Sequence, residues 1–439
     1  MRRTAAFRST ALATLLLVSI SCVSTHLPPI SSQGGAFKPL SDERELWDQS
    51  RAEEEKLLGH VQLYGDARLD AYLERVVSRL NPPRMAANRE VHYQVRVIED
   101  PTLNAFSYPH GSIYVHTGLL ARLDNEDELA TVLGHEMTHV EDRHLLRYQR
   151  SARNQEIGLS VAAFTAEILV EAAADHAAGN GSWGKAVAID VFGNLLVDFG
   201  LQLAFVASVN GYGRGLEAEA DEGGFAKMAA AGYDLRQAPN VYLALLEDQG
   251  DPHAATAFFF GSHPRLRERV EATRQYLKQH PGAYSGTPVA AADRAALDQA
   301  FARHMEPVVR EDARLNLERG NLKLAETEIA KARAWDPEDP GTYLLKGKLK
   351  LVQASADGKS PEEADRLRAA AEDAFREAIE LDSSLPAPHR ELGLLLYDRK
   401  DFRGACAQLR RSADLDPKGD EAGRVQDRIA EMERNGSCG

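Results

Sequence analysis

The chain has 439 residues, 44% of them hydrophobic, and carries a net charge of −14 with a pI near 5.5. An acidic balance of this size argues against a nucleic-acid partner, because phosphate binding needs a basic face. The length and apolar content suffice for two or three globular units, each with its own core.

The first 22 residues, MRRTAAFRSTALATLLLVSISC, join a basic start to an apolar run from Ala11 to Ile20. That run is far shorter than the roughly 20 residues a membrane-spanning helix needs, so residues 1–21 are read as a secretory signal peptide. Cys22 after Ser21 resembles the lipobox of bacterial lipoproteins, although Ser19 stands where that pattern usually has Leu. Lipidation of Cys22 is expected, with ordinary cleavage as the alternative. The polar stretch behind it, residues 22–41, reads as a flexible tether.

Further on, residues 112–117 alternate, with Ile113 and Val115 on one face and Tyr114 and His116 on the other, after a Pro-His-Gly turn. The pattern predicts a strand. His110 and His116 are not taken as ligands.

Next comes VLGHEMTHVEDRH, residues 132–144. The preceding DNEDELATVLG predicts a packed helix, with Asp124 or Asn125 as cap and acids in the first turn. Positions i and i+4 share a helix face, so His135 and His139 can point at one atom. Two neutral imidazoles suit Zn²⁺, which lowers the pKa of a coordinated water to about 7. Glu136, roughly 100° round the helix, is placed to take that water's proton as general base. His144 lies about 140° to 180° away from them on the same helix, so it cannot join the histidines. Position 145 is Leu, which excludes the metzincin spacing.

A zinc site of this kind needs a third protein ligand. Residues 187–209 are apolar but interrupted by Asp190 and Asp198, which favours a buried or interfacial helix over membrane insertion; residues 172–185 before them read as a lid-like loop. The candidate lies in GYGRGLEAEADEGG, residues 211–224. Glu217 and Asp221 share a face, so Glu217 can bind the metal while Asp221 accepts a hydrogen bond from a ligating histidine.

In FFFGSHPRLRER, residues 258–269, Pro264 biases His263 toward an extended loop conformation. The C-terminal third repeats itself: Leu381 and Leu415 are 34 residues apart, the tetratricopeptide period. Ala325, Ala371 and Ala405 recur at the small position between helices, with Ile329, Phe375 and Leu409 four residues later. A 12-residue insertion is expected in VQASADGKSPEEAD. Such repeats stack into a concave surface that binds peptides or proteins, or else only buttress a neighbouring domain. If Cys22 is acylated, Cys406 and Cys438 remain as a possible pair.

Five segments in order, LYGDARLDAYLERVVSRL, VIEDPTLNAFSYPHGSIYVHTGLL, NEDELATVLGHEMTHVEDRH, GRGLEAEAD and GSHPRLRERV, carry a resemblance. The chain resembles the gluzincin metallopeptidases of the CAAX-prenyl-protease and HtpX type, in their periplasmic BepA-like branch. The resemblance implies one Zn²⁺ held by His135, His139 and Glu217, Glu136 as general base, and Asp221 supporting the ligands. It further implies a regulatory metal contact by His263, a substrate or transition-state contact by Arg214, and a substrate-pairing edge strand at 112–117, for which an ordinary core strand is the alternative. The expected architecture is α+β: a mostly helical zinc-metallopeptidase domain (42–285) with a small sheet carrying an edge strand above the active site. A linker (286–305) and an all-α TPR solenoid of three repeats with a capping helix (306–435) follow. The implied activity is a zinc endopeptidase of the bacterial cell envelope, lipid-anchored at the outer membrane, that cleaves misfolded or stalled envelope proteins. Its repeats would meet clients or an outer-membrane assembly factor. A periplasmic chaperone or adaptor with a gated zinc site is the alternative.

Overall fold

The computed structural model describes residues 24–154, 203, 212–248, 266–281 and 291–438. The signal peptide, Cys22, the loop at 172–185, His263 and all but one residue of the 187–209 stretch lie outside the described residues.

After a short helical turn at Ile30–Gln33, the first long helix is α1 (Ser41–Leu58), which ends at Gly59. The segment before it is packed rather than a tether: Ile30 and Phe37 are buried against Trp47, Met85, Val91 and Val140, and Asn88 donates to the Gly34 carbonyl. The polar, glycine-rich composition hid two apolar anchors, and burying them outweighs the freedom of the links between.

Helix α2 (Ala67–Leu80) starts at Asp66, whose carboxylate accepts from the Arg68 and Leu69 amides, and it buries Leu69, Leu73, Val76 and Leu80. The sheet follows, with β1 (Gln94–Ile98), β2 (Ala105–Ser107) and β3 (Ser112–His116) in the order β1-β3-β2. β3 runs parallel to β1 and antiparallel to β2. The strand read from 112–117 is therefore the central one, and the two edge positions belong to β1 and β2. The reason is the turn at Gly111 (φ +114°), which folds β2 back along one side of β3 while β1 covers the other. Both faces of β3 are buried: Ile113 and Val115 join the main core with Val95 and Val97, and Tyr114 stacks on Phe106.

β3 runs directly into α3 (Thr117–Arg122), and then come α4 (Glu126–Glu141), α5 (His144–Asn154), α6 (Arg214–Ala231), α7 (Ala238–Asp248) and α8 (Leu266–Gln279). α4 is buried on every side, so it lies at the centre of the main core with α2, the sheet, α6 and α7 packed round it.

Residues 291–305 of the expected linker are helical. α9 (Ala291–Glu318) is one helix, and its Phe301, Met305 and Val308 belong to the core that contains Leu119, Leu120 and Leu129. Apolar residues at helical spacing make this stretch a helix where a linker is expected from the sequence. α10 (Leu322–Trp335), α11 (Pro340–Ser355), α12 (Pro361–Leu381), α13 (Pro386–Asp398), α14 (Phe402–Leu415) and α15 (Ala422–Arg434) follow, each packed on the one before. Ala325, Ala371, Ala405, Ile329, Phe375 and Leu409 are all buried. Gly347 lets the Phe375 ring approach, since a Cβ there would come within 2.3 Å of it. Part of the expected insertion lengthens α12, which has 21 residues against 14 in α10 and α14. Cys406 and Cys438 form a disulfide that ties α14 to the C-terminus. Among the described residues no helix is long and apolar enough to cross a membrane.

Candidate metal centre

α4 begins at Asn125, whose side chain accepts from the Glu128 amide, and its first turn carries Glu126, Asp127 and Glu128 at the positive end of the helix dipole. α6 begins after Gly213 (φ +86°). The two helices meet through glycines, Gly134 against Gly224 and Gly223 against Thr138. This contact brings His135 and His139 together with Glu217 and Asp221, from sequence positions about 80 residues apart.

Nε2 of His135 and Nε2 of His139 face each other at 2.9 Å. Glu217 lies beside both, with Oε2 at 3.5 Å from His135 Nε2 and Oε1 at 3.9 Å from His139 Nε2. The Tyr212 amide donates to Glu217 Oε1 at 3.1 Å, and the Tyr212 ring covers His139 at 4.5 Å between centroids. Two imidazole nitrogens and a carboxylate, all buried, form a donor set suited to zinc.

Glu136 is buried, with Oε2 accepting from Ser107 Oγ at 2.9 Å, while Oε1 has no hydrogen-bond partner among the described residues. Burial pushes its carboxyl up to about 7, against the opposing effect of His135. An acceptor atom left open beside a metal-type donor set is what a proton-accepting role requires.

Asp221 Oδ1 lies 2.9 Å from His135 Nδ1 and accepts from Tyr242 Oη at 2.9 Å, and Arg269 Nε donates to Oδ2 at 3.0 Å. Burial works to raise the Asp221 carboxyl, but the Arg269 charge and the His135 contact outweigh it and hold it at about 2. Burial likewise works to lower His135, yet hydrogen bonding to Asp221 and Glu217 lifts it to about 9.

Of the remaining candidates, Arg214 stands exposed at the first position of α6. His110 pairs with Glu54 at 2.8 Å, and His116 with Thr102 at 2.7 Å, both away from the cluster. The placement of His144 corrects the sequence expectation. The chain turns at Arg143 (φ +62°), so α4 ends and His144 opens α5, bringing its Nδ1 to 2.8 Å from His139 Nδ1. Burial, reinforced by Arg147, pushes His144 down to about 4. Sequence reasoning also missed Ser107, Tyr212, Tyr242 and Arg269. Only Arg269 had a visible signal, as a cation in the GSHPRLRERV segment.

The sequence model of Peptidase family M48 matches residues 67–277, which span every residue of this cluster. The chain carries a peptidase family M48 domain. The chain is similar to the beta-barrel assembly-enhancing protease of Yersinia pestis, 27% identical over 270 residues, which cover 59% of this chain and 49% of that protein. The mitochondrial metalloendopeptidase OMA1 of Schizosaccharomyces pombe is 27% identical over 257 residues, 55% of this chain and 66% of the relative. The mitochondrial metalloendopeptidase OMA1 of Danio rerio is 33% identical over 184 residues, 41% of this chain and 34% of its own length. The chain thus spans about half of the bacterial relative's length and up to 66% of the yeast one's.

Proposed function

We propose that the chain is a zinc-dependent endopeptidase of the bacterial cell envelope that cleaves misfolded or stalled proteins. The observation that carries this reading is the convergence of His135, His139 and Glu217 beside Glu136, whose Oε1 is open. A zinc ion held by the three ligands would supply a Lewis acid and lower the pKa of its water. Glu136 takes the proton from the attacking water on Oε1 and passes it to the leaving amine, while Ser107 fixes its other oxygen. Asp221, held by Arg269 and Tyr242, orients His135. Arg214 at the exposed start of α6 is a substrate contact in this reading.

An extended substrate pairs with β2, not with 112–117, since β2 is the edge strand whose Ser107 touches Glu136. α9 to α15 act as tetratricopeptide repeats that bind clients or an outer-membrane assembly factor, supported by the buried alanine and large apolar positions at repeat spacing. Cys22 carries the lipid anchor. The Cys406–Cys438 disulfide supports an oxidising compartment.

The test uses protein starting after Cys22. Wild type should hold about one zinc per chain and cut casein, while Glu136→Gln holds zinc and does not cut. Zinc binding without cleavage in both, with cleavage restored by His263→Ala, would establish a gate. Zinc binding without cleavage in all three would favour a chaperone or adaptor.

A further inference from the structure

His139 offers its two ring nitrogens to different neighbours. Nε2 faces His135 and Glu217, and Nδ1 lies 2.8 Å from Nδ1 of His144. Two imidazole nitrogens at hydrogen-bond distance share one proton, so one donates and the other accepts. A histidine that ligates a metal through Nε2 keeps its proton on Nδ1, which fixes His139 as the donor. His144 therefore accepts with a bare Nδ1, and as a neutral imidazole it carries its own proton on Nε2.

That Nε2 is fully buried, without a hydrogen-bond partner among the described residues, and lies 3.6 Å from Glu219 Oε2. Arg147 holds Glu219 with two contacts, at 2.5 and 3.1 Å. A small rotation of the half-exposed Glu219 closes the remaining gap. We propose that His144 is the positioning residue of His139, a neutral acceptor that sets its tautomer and ring plane and is itself aimed by Glu219 and Arg147.

The two ligand histidines are thereby supported in different ways. His135 leans on the Asp221 carboxylate and His139 on an uncharged imidazole. A neutral support orients the ligand without adding negative charge beside the metal, which leaves the ion a stronger Lewis acid than two carboxylate supports would.

The same residues invite a competing assignment. Asp142, His144 and Glu219 present ligand atoms within 4.8 Å of one another, as a second cation site would. With His139 metal-bound, however, the proton on His144 Nε2 occupies the lone pair such a site requires. The chain should bind a single zinc.

This proposal rests on the metal-site reading, and the test separates the two. His144→Asn puts an amide oxygen where Nδ1 stood, whereas His144→Gln puts its polar end near the Nε2 position. Zinc affinity is measured by chelator competition, with stoichiometry and a zinc-free thermal melt on each protein. The expected result is one zinc in wild type, affinity weakened about 10–100-fold in Gln, and affinity within about threefold of wild type in Asn. Equal affinities for Asn and Gln overturn the proposal, as does a wild type that holds two zinc ions and loses one in Asn. A wild type that binds no zinc overturns the metal site itself, and the His144 role with it.

Discussion

Gly134 on α4 and Gly224 on α6 stand back to back where the helices cross. A Cβ on Gly134 would lie 3.2 Å from the Gly224 Cα, and one on Gly224 would lie 3.0 Å from the His135 amide nitrogen. The separation of the two histidines from Glu217 is set by this contact. Gly224→Ala should therefore weaken zinc binding as well as cost about 1–3 kcal/mol of stability through overpacking, and Gly224→Val should do more of both. Chelator competition and urea unfolding give the two numbers. A variant that loses stability but binds zinc as wild type does would show that the ligands adjust independently of the crossing.

Ser107 donates to Glu136 and so favours its charged form. In Ser107→Ala that support is gone, while the burial that already pushes the carboxyl up remains. The Glu136 pKa then rises, and because the base must be ionised to act, the acid limb of the kcat/KM profile should move to higher pH. Zinc content should not change. An unmoved limb would remove Ser107 from the mechanism.

Arg143 and Glu43 form a buried ion pair, Nε to Oε1 at 2.8 Å, with a second contact between Nη2 and Oε2. Glu43→Ala strands the guanidinium and should cost about 3–5 kcal/mol. Arg143→Gly in the same chain should recover part of the loss, since it removes the stranded charge and glycine adopts the positive φ without strain. A double-mutant cycle by urea unfolding measures this, and additive losses would contradict it.

Asp312 of α9 is fully buried, accepting from Thr117 Oγ1 and from Asn316 Nδ2, each at 3.0 Å. Burial, and then the neighbouring Glu328 charge and hydrogen bond, hold its carboxyl well above the usual carboxylate range. The folded pKa thus exceeds the unfolded one. Its stabilisation is complete below the unfolded pKa of about 3.9 and is lost as pH rises toward the folded value, by up to about 1.4 kcal/mol per pH unit. Asp312→Asn should flatten the decline in stability between about pH 5 and about pH 8, as followed by urea unfolding at each pH. Equal slopes in the two proteins would mean that Asp312 is ionised throughout.

The residues that converge on the site were readable where a helix fixed their spacing. His135 with His139, and Glu217 with Asp221, need only the i, i+4 relation to share a face. What escaped depended on contacts distant in sequence or on one backbone angle. β2 is three residues long and shows no alternation, so its pairing beside β3 had no local signal. The position of His144 turns on the positive φ of Arg143, a residue type that gives no warning of a helix end. The tether and the linker were misjudged from composition, which weighs Ile30, Phe37, Phe301 and Met305 no more than their polar neighbours.

α9 and α10 tie the helical array to the sheet. Thr117 at the head of α3 donates to Asp312, and Arg122 at its end pairs with Glu328. α3 continues from β3, β3 is laced to β2, and β2 ends on the serine that touches Glu136. Every step from the first helix of the array to the proton-accepting carboxylate is a helix, a strand or a buried polar contact. A load taken up by the array would arrive at Glu136 as a displacement, with no slack segment along this route to absorb it.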